Sequence, residues 1–183
     1  MTNTLEIKLL SENATMPKRD RLDAGYDIYS AETVILEPQE KAVIKTDVAV
    51  NIPEGYVGLL TSRSGVSSKT HLVIETGKID AGYQGNLGIN IKNDIELTTS
   101  EEYMYEDIKG EIIDVEEFNE SFDEKNLNPL EKFKARNISY VIEKGDKLAQ
   151  LVIVPIWTPE LKEVEEFSSE SERGTDGFGS TGY

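Results

Sequence analysis

Asp80 stands beside a glycine-rich bend at Gly82 and Gly85, inside the run Gly77–Asn93. A carboxylate held on such a bend can orient a water molecule and accept its proton. Glycine has no Cβ and takes positive φ freely, so backbone there can come close to a ligand. The bend leads into Leu87-Gly88-Ile89-Asn90-Ile91, whose alternation reads as a strand. The whole is a loop-and-hairpin signature, a pattern that an ordinary hairpin with an acid at its turn also satisfies.

Other segments carry complementary chemistry. The chain ends in Arg173-Gly174-Thr175-Asp176-Gly177-Phe178-Gly179-Ser180-Thr181-Gly182-Tyr183. Its amides, hydroxyls and guanidinium are the inventory of a phosphate cradle. Phe178, with nothing nearby to pack on, is placed to stack on a base. Ser62-Arg63-Ser64-Gly65 follows a strand and can converge on an anion. Ala24-Gly25-Tyr26-Asp27-Ile28 and Gly145-Asp146-Lys147-Leu148-Ala149-Gln150 are weak signals singly: Asp146 and Lys147 read as turn residues, and Gln150 as a group satisfying backbone.

Strands must position these groups. Segments with strand character are Leu5–Leu10, Thr33–Leu36, Ala42–Ile52, Tyr56–Thr61, Leu72–Glu75, Gly88–Ile91, Ser139–Ile142 and Leu148–Trp157. Turns separate them at Pro53-Glu54-Gly55 and Glu143-Lys144-Gly145-Asp146. That rhythm predicts an all-β sandwich or barrel. At 183 residues and 38% hydrophobic, the chain has the size of one domain with a core that needs no staples.

Ser100–Lys132 breaks the rhythm. It holds twelve acids against three lysines, more than half of the formal net charge of -16, together with Tyr103, Tyr105, Phe118, Phe122 and several isoleucines. Plain disorder lacks such apolar content, so the segment reads as an inserted, partly folded subdomain. Glu160–Glu172 reads as a flexible tether to the terminal motif. The expected organisation is a β core over 1–99 and 133–159, an acidic insert over 100–132, and a tether with an arm over 160–183.

Composition excludes several classes. Without cysteine there is no disulfide framework and no thiolate nucleophile or ligand, which suits a reducing compartment. The N-terminus alternates rather than forming a signal-peptide block, and Leu151–Trp157 is too short to cross a bilayer. A soluble, cytoplasmic protein is expected. The negative charge opposes nonspecific binding to nucleic acid or anionic membranes. His71, the single histidine, has no triad partners nearby and reads as structural or surface.

Taken together and in order, the five segments Ala24–Ile28, Ser62–Val66, Gly77–Asn86, Gly145–Gln150 and Arg173–Gly182 closely resemble the motifs of the trimeric dUTP diphosphatase (dUTPase) family. The resemblance spans nearly the whole chain except Ser100–Lys132. It implies a jelly-roll-like β subunit, a homotrimer with active sites at subunit boundaries, and hydrolysis of dUTP to dUMP and pyrophosphate with Mg²⁺.

On that pattern Asp80 holds the attacking water. Tyr83 packs under the deoxyribose, and backbone around Asn86, Gly88 and Ile89 pairs with the uracil edge. Arg63, Ser64, Gly65 and Gln150 match phosphate contacts, and Asp27 lies at the phosphate and metal end. Arg173, Gly179, Ser180 and Thr181 match the closing arm, and Phe178 the aromatic that stacks on uracil. Asp176 departs from the glycine usual in the arm. The nearest enzymatic rival is the related dCTP deaminase group. A different class of role is protein interaction through Ser100–Lys132, whose aromatics with an acidic rim resemble an interface.

Overall fold

Alternating burial along several of the strands shapes the molecule. A computed structural model describes residues 4–97, 104–113 and 138–169. Its elements in chain order are β1 Glu6–Leu9, β2 Tyr26–Tyr29, β3 Val34–Leu36, β4 Lys41–Lys45, β5 Val48–Asn51, β6 Tyr56–Ser62, α1 Ser64–Lys69, β7 Leu72–Ile74, β8 Gly77–Ile79, β9 Gly88–Asn93, β10 Met104–Glu106, β11 Ile138–Ile142 and β12 Lys147–Pro155. In β9, Ile89 and Ile91 are fully buried while Gly88 is exposed, the period of two expected of a half-buried strand.

Among the described residues the strands form four sheets, ordered β1-β5, β10-β11-β3, β2-β12-β6-β8 and β4-β9-β7. Their inner faces share one core. Ile28 of β2, Leu36 of β3, Ile44 of β4, Leu60 of β6, Ile142 of β11 and Leu151 of β12 are buried within it. Each such side chain contributes about 1.5–3 kcal/mol of transfer free energy. The architecture is the expected all-β, jelly-roll-like sandwich, and no helix among the described residues is long and apolar enough to cross a membrane. The turn glycines Gly55 and Gly145 take φ of 82° and 95°, as their segments require.

Several expectations are corrected. The single strand expected over Ala42–Ile52 is two, because Asp47 turns to φ 51° and the halves pair differently, β4 with β9 and β5 with β1. The last strand ends at Pro155, leaving Trp157 88% exposed. Strands β2, β8 and β10 and helix α1 stand where sequence patterning shows no element. The helix reads Ser-Gly-Val-Ser-Ser-Lys, a poor helix former, and only Val66 is buried. Tertiary packing decides it.

The described part of the insert joins the core. β10 pairs in parallel with β11, and Ile108 packs in the common hydrophobic cluster. Gly110, at φ 74°, lies against the end of α1, where a Cβ would come 2.6 Å from the Lys69 carbonyl oxygen. Tyr140 ties these parts together: its buried hydroxyl accepts the His71 N–H at 3.0 Å. Burial, with the Glu106 carboxylate beside it, holds the phenol above its usual pKa.

Replacing Tyr140 with Phe leaves the His71 N–H without this acceptor. The expected cost is about 1–2 kcal/mol in urea unfolding. An unchanged midpoint would show that the bond contributes nothing.

Candidate active site

Gly25 lets β2 approach β12, since a Cβ there would meet Gln150 Cβ at 3.0 Å and the Leu151 carbonyl at 3.3 Å. This brings Asp27 directly opposite Gln150, which in turn faces Thr61 of β6. The next turn of chain after β6 delivers Arg63. Its Nε pairs with Asp27 Oδ1 at 2.9 Å, Lys147 Nζ reaches Oδ2 at 3.0 Å, and Gln150 Nε2 donates to Oδ1 at 3.4 Å. A register shift between Lys147 and Ala149 allows Lys147 and Gln150 to reach the same carboxylate. Burial by itself would raise the Asp27 pKa, yet Lys147, Arg63 and Gln150 together hold it below the usual 3.8.

Beside this cluster Lys18, Arg19 and Lys147 line a cavity of about 410 Å³ together with Asp20 and Asp23. Ser64 and Gly65 open α1 and are exposed. A side chain at Gly65 would extend into open space, so nothing in the chain itself demands glycine there.

The hairpin forms a second group. Gly82 turns at φ 84°, and the Tyr83 N–H donates to the Asp80 carbonyl at 3.1 Å. The Tyr83 hydroxyl donates to the Asn86 carbonyl at 3.0 Å and crosses Gly85, where a Cβ would lie 2.5 Å from it. Asp80, Tyr83, Asn86 and Gly88, with Lys78, line a cavity of about 270 Å³.

Ladder geometry aims the backbone here. The Thr46 N–H donates to the Leu87 carbonyl, so Gly88, paired with Lys45, sits at a non-hydrogen-bonded position of the β4–β9 ladder. Its own N–H and C=O are turned away from β4, to the side where the β7 pairing has already ended at Ile74 opposite Ile91. Ile89, by contrast, is fully buried.

The two groups do not meet within one chain. Ile79 of β8 pairs with Gly58 near the start of β6, so Asp80 lies level with Val57, whereas Arg63 follows the far end of β6. At about 3.3 Å per residue the two are roughly 20 Å apart along the strand. Arg173, Phe178, Gly179, Ser180 and Thr181 of the arm, with Asp176, lie outside the described residues. Lys78 is a site-lining residue that sequence reasoning passed over, and Lys147, which reads in the sequence as a turn residue, lines the other cavity. A turn lysine carries no signal of its partner until the β12 register is known.

Comparison with known proteins follows the same division. A family model described as dUTPase matches residues 12–100 and 132–182, passing over most of the acidic insert. The chain belongs to the dUTPase family. The mitochondrial deoxyuridine 5'-triphosphate nucleotidohydrolase of Homo sapiens is 35% identical over 179 residues, covering 97% of this chain and 54% of that protein. The chain thus spans about half of the human relative. The Clostridium tetani enzyme of the same name is 34% identical, with 98% of this chain and 97% of that one covered. Among solved structures, the dUTPase of Staphylococcus bacteriophage 80alpha with dUpNHpp is 66% identical with a TM-score of 0.86, covering 100% of both chains. A variant dUTPase of phage phi11 of S. aureus, described with a structural Mg(II) ion, is 65% identical with a TM-score of 0.76, covering 91% of this chain and 100% of that one.

Among the described residues no group of three or more His, Cys, Asp or Glu is arranged to hold a metal ion. Asp27 is a hard oxygen donor already engaged by two cations. Such a site fits a hard cation whose coordination comes largely from substrate phosphates and water, with Asp27 beside it.

Since the Asp27 pKa is lowered on folding, the unfolded chain takes up this proton first as the pH falls. The pairing therefore contributes fully at neutral pH, and the contribution fades as the pH drops below the ordinary 3.8 and through the folded value. Unfolding midpoints of the wild type and Asp27→Asn should converge over that acid range. A gap that persists unchanged there would show that the charge is not its source.

Proposed function

We propose that the chain hydrolyses dUTP to dUMP and pyrophosphate at sites shared between copies of a homotrimer. The observation that carries this reading is the two-ended arrangement. A carboxylate and a free backbone edge line one cavity, a cationic cluster stands about 20 Å along β6, and assembly of copies can bring one copy's hairpin to another's cluster. The family supplies the substrate class, and a close neighbour is described with dUpNHpp.

Asp80 orients a water for attack on the α-phosphorus and accepts its proton. The new oxygen–phosphorus bond forms as the bond to the bridging oxygen breaks, and pyrophosphate leaves with the electron pair. Tyr83 packs under the deoxyribose, where a ribose hydroxyl would clash. The Gly88 N–H and C=O pair with uracil O4 and N3–H, with Asn86 and Ile89 holding that edge. Cytosine presents the reverse pattern and would leave buried groups unpaired, a discrimination on the order of 10⁴.

Arg63, Ser64, Gly65 and Gln150 bind the phosphates. Asp27 holds Arg63 and Lys147 in place and would hold Mg²⁺ through water; the bound ion neutralises charge on the phosphate oxygens. Arg173, Phe178, Gly179, Ser180 and Thr181 close over the nucleotide from the arm. A chain free of cysteine suits a cytoplasmic setting.

A second role for the acidic insert is favoured by exposed apolar side chains in its described part, Ile112 at 70% and Met104 at 37%. With the surrounding acids they form a surface suited to a basic protein partner.

Purified protein with Mg²⁺ should release pyrophosphate from dUTP and far more slowly from dCTP, dTTP and UTP. Asp80→Asn should lower kcat by about 10²-fold or more. Ammonia release from dCTP would favour the deaminase reading, and a folded protein inactive on all four nucleotides would overturn hydrolysis.

A further inference from the structure

We infer that Asp47, remote in sequence from the five motifs, is a positioning residue that sets the base and sugar selectivity of the hairpin. The inference rests on the reading of that cavity as the nucleoside site.

Asp47 sits in the break between β4 and β5. The Thr46 N–H donates to the Leu87 carbonyl, and the Leu87 N–H donates to the Val48 carbonyl at 2.8 Å. Leu87, the residue just before β9, is thus bonded to residues on both sides of Asp47, which leaves Asp47 out of the pairing as the extra residue of a β-bulge. Its φ of 51° lies in the left-handed region, where few side chains are tolerated and Gly, Asn and Asp are favoured.

The bulge aims the carboxylate at the hairpin. Oδ1 accepts from Asn86 Nδ2 at 2.7 Å, and Oδ2 accepts from the Ser11 hydroxyl at 2.6 Å. The Leu10 N–H donates to the Asp47 carbonyl at 2.8 Å, anchoring the same residue to the chain beyond β1. A carboxylate can only accept, so it dictates which end of the Asn86 amide faces it. Asn86 Oδ1 is left toward the Thr46 hydroxyl, 3.4 Å away.

The consequences run outward in series. Asn86, held at its side chain, offers its backbone carbonyl to the Tyr83 hydroxyl at 3.0 Å. Two residues further on, Gly88 presents its backbone to the cavity. Tyr83, Asn86 and Gly88 line that cavity, whereas Asp47 does not. Its carboxylate reaches the cavity through Asn86.

The phosphate cluster stands at the other end of β6, so loss of the clamp should fall on nucleoside recognition. Asp47→Gly removes the carboxylate while keeping the left-handed backbone. Asp47→Asn keeps both the backbone and an acceptor without charge. In Mg²⁺-supplemented steady-state assays, Asp47→Gly should raise the KM for dUTP about tenfold and lower the dUTP-to-dCTP and dUTP-to-UTP ratios of kcat/KM by a similar factor, with a smaller effect on kcat. Asp47→Asn should show the same pattern at about threefold, and it serves alone if the glycine variant does not fold. KM and both ratios unchanged in the folded variants, whatever their melting temperatures, would overturn the inference and leave Asp47 a bulge residue only. A loss confined to kcat would overturn it equally. Wild-type protein inactive on dUTP would instead bring down the reading of the cavity, and the inference with it.

Discussion

The length of β6 governs the rest of the molecule. It is hydrogen-bonded to β12 on one side and to β8 on the other, and those two registers leave no freedom to slide. A one-residue slip would turn the buried Leu60 outward and bring Leu59 and Thr61 to the core face. The strand therefore works as a spacer with fixed ends. Arg63 leaves one end, and Asp80 stands level with the other. Within one chain the strand holds these two groups apart, and the shared site proposed above draws them from different copies.

Each end is built by a different device. At the Asp27 end, three strands bring Asp27, Gln150 and Thr61 into one row, and the close approach permitted by Gly25 lets the row form. At the Asp80 end, regular pairing is interrupted. The bulge at Asp47 and the positive φ of Gly82 shape a loop that a continuous ladder would have straightened. The bulge breaks regular pairing, with buried Leu87, Ile89 and Ile91 holding the strand that follows.

Charge is divided unevenly over the chain. The chain carries a formal net charge of -16, which opposes the approach of a triphosphate at long range. Screening confines that opposition to roughly 8 Å at physiological ionic strength. Within that distance Arg63 and Lys147, in contact with Asp27, supply local positive charge, while Lys18 and Arg19 share the adjoining cavity with Asp20 and Asp23. Asp27 orients two of these cations while cancelling only part of their charge.

Much was legible from residue order alone. Alternation located β9, a short apolar run located β11, proline and glycine located the turns, and five short segments carried the family likeness because their residue types survive independent of context. What alternation could not reveal were elements without their own pattern. Tyr26–Tyr29 and Gly77–Ile79 become strands only because neighbours supply hydrogen-bond partners, and the six-residue helix α1 depends on burying Val66. Pairings across long sequence separations were equally hidden: Asp27 with Lys147, Asp47 with Asn86, Ile108 with the common core. The sequence by itself determined which groups are present and the strand rhythm, since side-chain chemistry and period are local properties. Only the tertiary structure decided which groups meet and which are held apart, because register and bulges are set by the packing of the whole core.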